Sequence, residues 1–310
     1  MNLILRSSQA LDFLSQMQRP DGSFISAFVK GKPVTGPTKV IFHLQAISLL
    51  YSCAKILDKK HLTTVADKAF DQIAAYTFIH NDEACLIVDN QSFSYWNALM
   101  GLLYLRKGET EKALQFLEST KRCTKGNVLA QYEPGTSEEH FKNKMVGPAG
   151  VIVLAFLEAG KPDDAIHAAN HILKSGRFDY LDNWALRAVW DHLQQTGERK
   201  ALADEYFFHA LKYSGMMRKI DPKTLNSFTA ATTQQALLAW GDRHDVDEEC
   251  KAILARQQEF QNLDILQGGF VRDNENTDIR LEYIVHNTVA YLEYLMRYEQ
   301  NSSVTPDIVV

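Results

Sequence analysis

The stretch Leu11–Phe24, "LDFLSQMQRPDGSF", decides how the rest of the chain is read. A helical apolar pattern runs as far as Gln16-Met17-Gln18, breaks at Pro20-Asp21-Gly22 and lands on Phe24. Proline cannot continue the helix, an aspartate in a turn accepts backbone N–H bonds, and glycine takes positive φ without strain. Phe24 then fills the gap where the helix stopped. These residues predict a structural clasp between a helix end and the following turn, in preference to a catalytic role for Asp21.

Working outward from that break, the chain repeats one order of events six times. A first apolar-periodic segment is followed by a long polar loop and a second, more apolar one. The first segments are "SSQALDFLSQMQ", with a serine as N-cap candidate, "LTTVADKAFDQIAAYTFI", "TEKALQFLESTK", "PDDAIHAANHILKS", "RKALADEYFFHALKY" and "VDEECKAILARQQEF". Their partners are "KVIFHLQAISLLYSCAKIL", "SYWNALMGLLYLRK", "KMVGPAGVIVLAFLEAG", "LDNWALRAVWDHLQQTG", "AATTQQALLAWGD" and "IRLEYIVHNTVAYLEYLMRY". Short links such as "KGET" and "AGKPD" join one unit to the next. The units run from about 36 to about 53 residues, which is too irregular, with loops too long, for a 34-residue tetratricopeptide solenoid. Six hairpins with short links on one side and long loops on the other predict a closed ring, the first helix of each pair outside and the second inside. The expected fold class is therefore all-α, an (α/α)6 toroid occupying residues 1–300 as a single domain, with 301–310 as a flexible tail.

"LDFLSQMQRPDGSF" resembles the Q-x-x-D-G-S-W/F signature of α-toroid proteins, which include terpenoid cyclases, prenyltransferase β-subunits and six-hairpin glycosidases. "ARQQEFQNLDILQGGF", Ala255–Phe270, is a looser second copy. The resemblance implies that Gln and Asp-Gly tie an outer helix to the next turn. It also implies a working cavity over the N-termini of the inner helices. The first inner turns carry Lys39 and His43; Tyr95, Trp96 and Asn97; Lys144; Asp182, Asn183, Trp184 and Arg187; Thr232, Thr233 and Gln235; and the polar start of the last helix.

That last helix is the most informative. Leu281, Ile284, Val285, Thr288, Val289, Leu292 and Leu295 cover one half, and Arg280, Glu282, Tyr283, His286, Asn287 and Tyr294 the other. A guanidinium, a phenol, an imidazole and an amide can orient a polar ligand, or they can brace a ring seam; both readings stand at this point. Helix N-termini and Arg280, Arg272, Arg187 and Lys144 favour an anionic ligand. Trp96, Tyr95 and Trp184 supply flat faces on which sugar rings stack, and Tyr132 lies in a loop long enough to serve as a lid. On an acidic sugar, Arg280 would neutralise the carboxylate while Tyr283 or His286 moves the adjacent proton, as in a lyase or epimerase. On a neutral glycoside two carboxylates are needed, from Asp89, Glu133, Asp179, Asp182 and Glu282. The expected catalytic residues are Tyr283, His286, Glu282 and Asp179; the expected substrate contacts are Arg280, Asn287, Trp96, Tyr95, Trp184, Arg187 and Tyr132.

Other classes find less support. A net charge of −5 without a basic stripe argues against nucleic acid. No apolar run reaches the roughly 20 residues of a membrane span. Cys53, Cys85, Cys123 and Cys250 form no CxxC pair, which predicts reduced thiols in a cytoplasmic protein. His167 and His171 have the i, i+4 spacing of zinc ligands but no HExxH glutamate, so neither metal nor cofactor is expected. The DDxxD and DxDD clusters of isoprenoid chemistry are missing. The function expected is a carbohydrate-active protein, a lyase, epimerase or hydrolase of an acidic saccharide. The alternatives are a non-catalytic helical scaffold for a peptide or protein partner and an isoprenoid-binding toroid.

Overall fold

The computed structural model describes residues 2–80, 82–89, 91–123, 131–132, 150–175, 180–197, 203–208, 219–241, 246–261, 268–273 and 275–298. The helices are α1 (Leu3–Gln16), α2 (Val40–Ile56), α3 (Lys60–Ala74), α4 (Ser94–Arg106), α5 (Thr110–Cys123), α6 (Gly150–Glu158), α7 (Pro162–Ser175), α8 (Tyr180–Thr196), α9 (203–208), α10 (Ser227–Leu238), α11 (Asp247–Phe260) and α12 (Leu281–Tyr298). In chain order outer and inner helices alternate as expected, and consecutive helices pack most closely across the short links, α4 on α5, α6 on α7 and α10 on α11. The chain forms two compact units, Met1–Gln72 with Lys212–Val310, and Ile73–Leu211. The proposed tail 301–310 lies outside the described residues.

In the first unit the beginning and end of the chain interlock. The inner row runs α10, α12, α2, and α1 also packs on α12. Inner helices are buried nearly all round: α12 is buried from Tyr283 through Leu295. Outer helices bury one stripe, in α1 Leu3, Ala10, Leu11 and Leu14. A small antiparallel sheet, β2 (Lys32–Pro33), β1 (Ala27–Val29) and β7 (Ile279–Arg280), pairs Ala27 with Arg280 and Phe28 with Ile279. It leads straight into α12, where the Leu281 amide donates to the Ser26 carbonyl at 3.0 Å. In the second unit α6 lies between α4 and α8, with α5 and α7 behind.

The opening stretch forms the expected clasp. The Asp21 carboxylate accepts from the Ser23 amide at 2.9 Å and the Ser23 hydroxyl at 2.7 Å, and these bonds hold its pKa below the ordinary value. Gly22 sits at φ 95°, and Phe24 is wholly buried against His43, ring centroids 5.3 Å apart. Gln18 bridges to Phe24, the Ile25 amide donates to the Met17 carbonyl, and Gln18 Nε2 reaches across to the Val65 carbonyl of α3 at 2.8 Å. A Cβ on Gly22 would lie 2.5 Å from the Lys68 carbonyl oxygen.

The second copy repeats the contacts of the glutamine, glycine and phenylalanine. Gln261 bridges to Phe270, and the Val271 amide donates to the Phe260 carbonyl at 3.0 Å. Gln261 Nε2 donates to the Arg6 carbonyl of α1 at 2.9 Å. Gly268, at φ 110°, is pressed against the Gln9 backbone. Val65 and Lys68 are three residues apart on α3, as Arg6 and Gln9 are on α1. So α11 is fastened to α1 as α1 is fastened to α3. Arg6 adds a return bond to Gln261 Oε1 at 2.9 Å.

A third copy carries no sequence signature. The Ile87 amide donates to the Tyr76 carbonyl and Thr77 pairs with Leu86, within the hairpin β3 (Thr77–His80) and β4 (Glu83–Leu86). Here Thr77 replaces the glutamine, and the next outer helix reaches back instead: Ser119 Oγ of α5 donates to the Ala84 carbonyl at 2.8 Å.

Several expectations are corrected. The α1 N-cap is Asn2, whose side chain accepts from Leu5 N at 3.1 Å, while Ser7 is a buried mid-helix residue. The segment expected to stay helical to Ile79 ends at Ala74 and turns into β3, because Tyr76-Thr77-Phe78-Ile79 are β-formers. The fifth inner helix starts earlier, at Ser227, behind a capping box of Asn226 and Thr229.

These contacts separate two glycine substitutions. Gly268→Ala should cost about 3 kcal/mol, from positive φ plus collision with α1. Gly31→Ala, also at positive φ but facing open space, should cost about 1 kcal/mol. Denaturant unfolding of both variants measures the difference.

Candidate functional site

The chemistry-bearing side chains of the first unit gather where β7 becomes α12. Arg280 is the last residue of β7 and Glu282 the second of α12, so strand pairing with Ala27 fixes both. Arg280 Nη1 lies 3.8 Å from Glu282 Oε1, and its guanidinium stands 5.9 Å from the Tyr283 ring centre. The Arg280 side chain is 44% exposed and that of Glu282 18%. Lys39, at the N-cap of α2, is exposed beside Phe42, 5.5 Å from its ring centre. Arg272 and Asp273 pair at 3.5 Å on the loop before β7.

Beneath this charged rim lies an aromatic floor. Phe228, in the first turn of α10, meets Tyr283 at 6.4 Å and His286 edge-on at 5.0 Å. Asn287 holds the floor together: its Nδ2 donates to the Tyr283 carbonyl at 2.8 Å, to Ser227 Oγ at 2.8 Å and to the Ser227 carbonyl at 3.3 Å. The Ser227 amide in turn donates to the Arg272 carbonyl at 2.8 Å, so one buried amide sets α10, α12 and the Arg272 loop together.

Environment sorts the titratable groups. Burial pushes the Glu282 carboxyl up, and Arg280 and then Lys39 pull it partly back. Burial also raises the Tyr283 phenol, opposed first by Arg280, so Tyr283 is a proton donor near neutral pH. His286 is 1% exposed, and burial drives it down to about 3, leaving a neutral and weakly basic imidazole. Glu282 joins partial solvent access to a carboxyl pKa raised by burial.

The expected residues therefore divide. Tyr283, His286, Glu282, Arg280 and Asn287 come together in the first unit. Phe228, which completes the floor, was missed; its place in the first turn of an inner helix was the available signal, obscured because that helix was read as starting at Ala230. In the second unit Tyr95 and Trp96 are buried and meet Phe93 tilted and edge-on, at 5.5 and 4.5 Å, as a packed cluster. Trp184 is buried as well. Arg187 pairs with Asp191 at 2.8 Å and lies over Trp190. Asn97 accepts from the Leu86 amide at 2.8 Å, fixing β4 to α4. Asp89 sits on an exposed turn at φ 53°. Tyr132 contributes backbone to β6 (Gln131–Tyr132), which pairs with β5 (Ser92–Phe93). Asp179, Glu133 and Lys144 lie outside the described residues. Among the described residues no group of three or more His, Cys, Asp or Glu could hold a metal ion, and no helix is long and apolar enough to cross a membrane. Cys53, Cys85 and Cys250 are buried and form no disulfide.

No family model matches the sequence, and no curated protein does. Solved structures do match across nearly the whole length. A cellobiose 2-epimerase from Bacillus thermoamylovorans superposes with a TM-score of 0.66 at 11% identity, covering 95% of this chain and 99% of the other. The fold is the (α/α)6 toroid. A GH76 α-mannanase from Bacteroides thetaiotaomicron aligns at TM-score 0.62 and 12% identity over 97% of both chains. A type II terpene cyclase from Scytonema aligns at 0.65 and 11% over 95% and 99%. Sugar and terpene enzymes are thus structural neighbours of this toroid alike, and the resemblance is one of backbone.

Two measurements check the site's construction. Asn287→Ala should cost about 2 kcal/mol, because Ser227 loses a buried donor. For His286 the depressed folded pKa means that the unfolded chain takes up the proton first. Its share of stability is complete above about 6.5 and is lost as pH falls toward about 3. Denaturant midpoints of wild type should therefore drop with acid more steeply than those of His286→Phe over that window.

Proposed function

We propose that the chain is a carbohydrate-active enzyme, and that it takes a saccharide carrying an acidic group at the rim of its first unit. The observation that carries this reading is the half-buried Glu282 carboxyl, 3.8 Å from Arg280, within the field of Lys39 and beside an aromatic floor. Arg280 and Lys39 would neutralise the acidic group, and Tyr283 would donate a hydrogen bond. Glu282 would move the proton, its raised pKa bringing it toward the range where a general acid–base works. His286 and Asn287 would hold the floor in place. This ranks Glu282 above His286 as the acid–base and needs no residue of the second unit. Support comes also from the kinds of proteins that share the fold: sugar epimerases, and an α-1,6-mannanase solved in complex with α-1,6-mannotriose.

A scaffold that docks another protein is the second reading, and one feature favours it. Tyr76, Phe78 and Ile79 stand largely exposed on and beside β3.

A melting-temperature screen against uronic-acid oligosaccharides, neutral oligosaccharides and isoprenyl diphosphates separates the readings. A rise with the uronic acids, abolished in Arg280→Ala, is expected; a rise confined to the diphosphates would overturn the proposal. In an activity assay on the substrate so found, Glu282→Gln should lower turnover by about 100-fold or more while the melt stays near that of wild type.

A further inference from the structure

Arg280 already faces a carboxylate of its own chain. The gap of 3.8 Å to Glu282 is longer than a hydrogen bond, and Arg280 keeps much of its surface in solvent while Glu282 does not. Glu282 is thus an internal counter-ion held loosely on the cation that an acidic ligand would seek. We infer, resting on the function proposed above, that the site takes up a proton together with its ligand: Glu282 gives up its charge, and the ligand's carboxylate replaces it as the partner of Arg280 and Lys39.

Electrostatics demand one of two outcomes when a second carboxylate enters. With Glu282 ionised, two negative charges share the Arg280 and Lys39 cations, and the ligand meets repulsion in a half-buried setting. With Glu282 protonated, its O–H can donate to the incoming carboxylate and the cations are left to the ligand, so the protonated form binds better. Burial already biases Glu282 toward that form. The other charged groups do not reverse the bias. Arg272 is occupied by Asp273 at 3.5 Å, Tyr283 stays neutral, and the buried His286 is uncharged near neutral pH. Lys39 at the start of α2 adds a second cation that Glu282 senses, more weakly than Arg280.

The proton also has a use. Once transferred to Glu282 during binding it lies beside the ligand, and the loaded complex holds the acid that the proposed reaction needs. A neutral sugar would bring no such coupling, because it leaves Glu282 in possession of Arg280.

The test is calorimetric titration of the whole protein with D-glucuronate and, separately, D-glucose, from about pH 5 to about pH 8 where the sugar acid stays ionised. Above the Glu282 pKa, D-glucuronate affinity should fall by about tenfold per pH unit, with about one proton taken up per site. Glu282→Gln, whose amide is neutral at every pH, should bind D-glucuronate with little pH dependence and at least as tightly as wild type at the alkaline end. D-glucuronate binding that is flat with pH in wild type, or equally steep in Glu282→Gln, overturns the coupling and leaves the acidic-saccharide reading standing. Binding of D-glucose without D-glucuronate overturns the coupling and the acidic ligand together. Binding of neither sugar overturns the inference and removes its foundation.

Discussion

One side-chain amide bond organises this molecule. Where an outer helix ends, a glutamine turns sideways and donates to a backbone carbonyl of the next outer helix, while a glycine in the following turn lets the chain touch that helix's backbone three residues further along. Gln18 does this to α3 and Gln261 does it to α1. Neighbouring helices in such a row have no continuous hydrogen-bonded ladder, and apolar packing alone tolerates sliding. A directional bond to one named carbonyl sets the axial register, and the buried Phe24 and Phe270 fill the notch left by each broken helix. The inner row inherits that register: Phe24 rests on His43 of α2 and Phe270 on Tyr291 of α12.

The site depends on it in turn. β7 is paired to β1, which issues from the first clasp, and Arg280 and Glu282 sit at the step from that strand into α12. Had α1 and α11 slipped by a turn, Arg280 would face a different neighbour. The contrast between rim and floor follows from depth along one helix. Over the short distance from Arg280 to Asn287 the side chains pass from solvent to complete burial, and the same polar residue types change from ligand-ready groups to structural bonds.

Legibility in the sequence followed the same physics. Hairpin count and most helix spans could be read because apolar periodicity is strong and the links are short. The first clasp was legible because Pro, Asp and Gly have narrow conformational uses, and Gln261 and Phe270 were found as a looser match. The third clasp was invisible: Thr77 is too short to reach the next helix, and the compensating hydroxyl of Ser119 lies over 40 residues away with no local pattern to announce it. The polar residues of α12 were legible as a group, but not their division of labour. A 100° wheel separates an apolar half from a polar half; it cannot tell that both halves are buried. Asn287 reads as a ligand contact in sequence and is a three-way brace in the structure. The aromatics Tyr95 and Trp96, chosen as stacking faces, pack against Phe93 of their own unit.

The clasp between Gln261 and Arg6 has a consequence for biosynthesis. During translation the second unit, Ile73–Leu211, emerges as one continuous stretch. The apolar stripe of α1 must meanwhile wait for a partner encoded about 250 residues downstream. Nascent α1 to α3 is therefore the segment that holding chaperones should cover longest, and the final hairpin, on leaving the ribosome, relieves them.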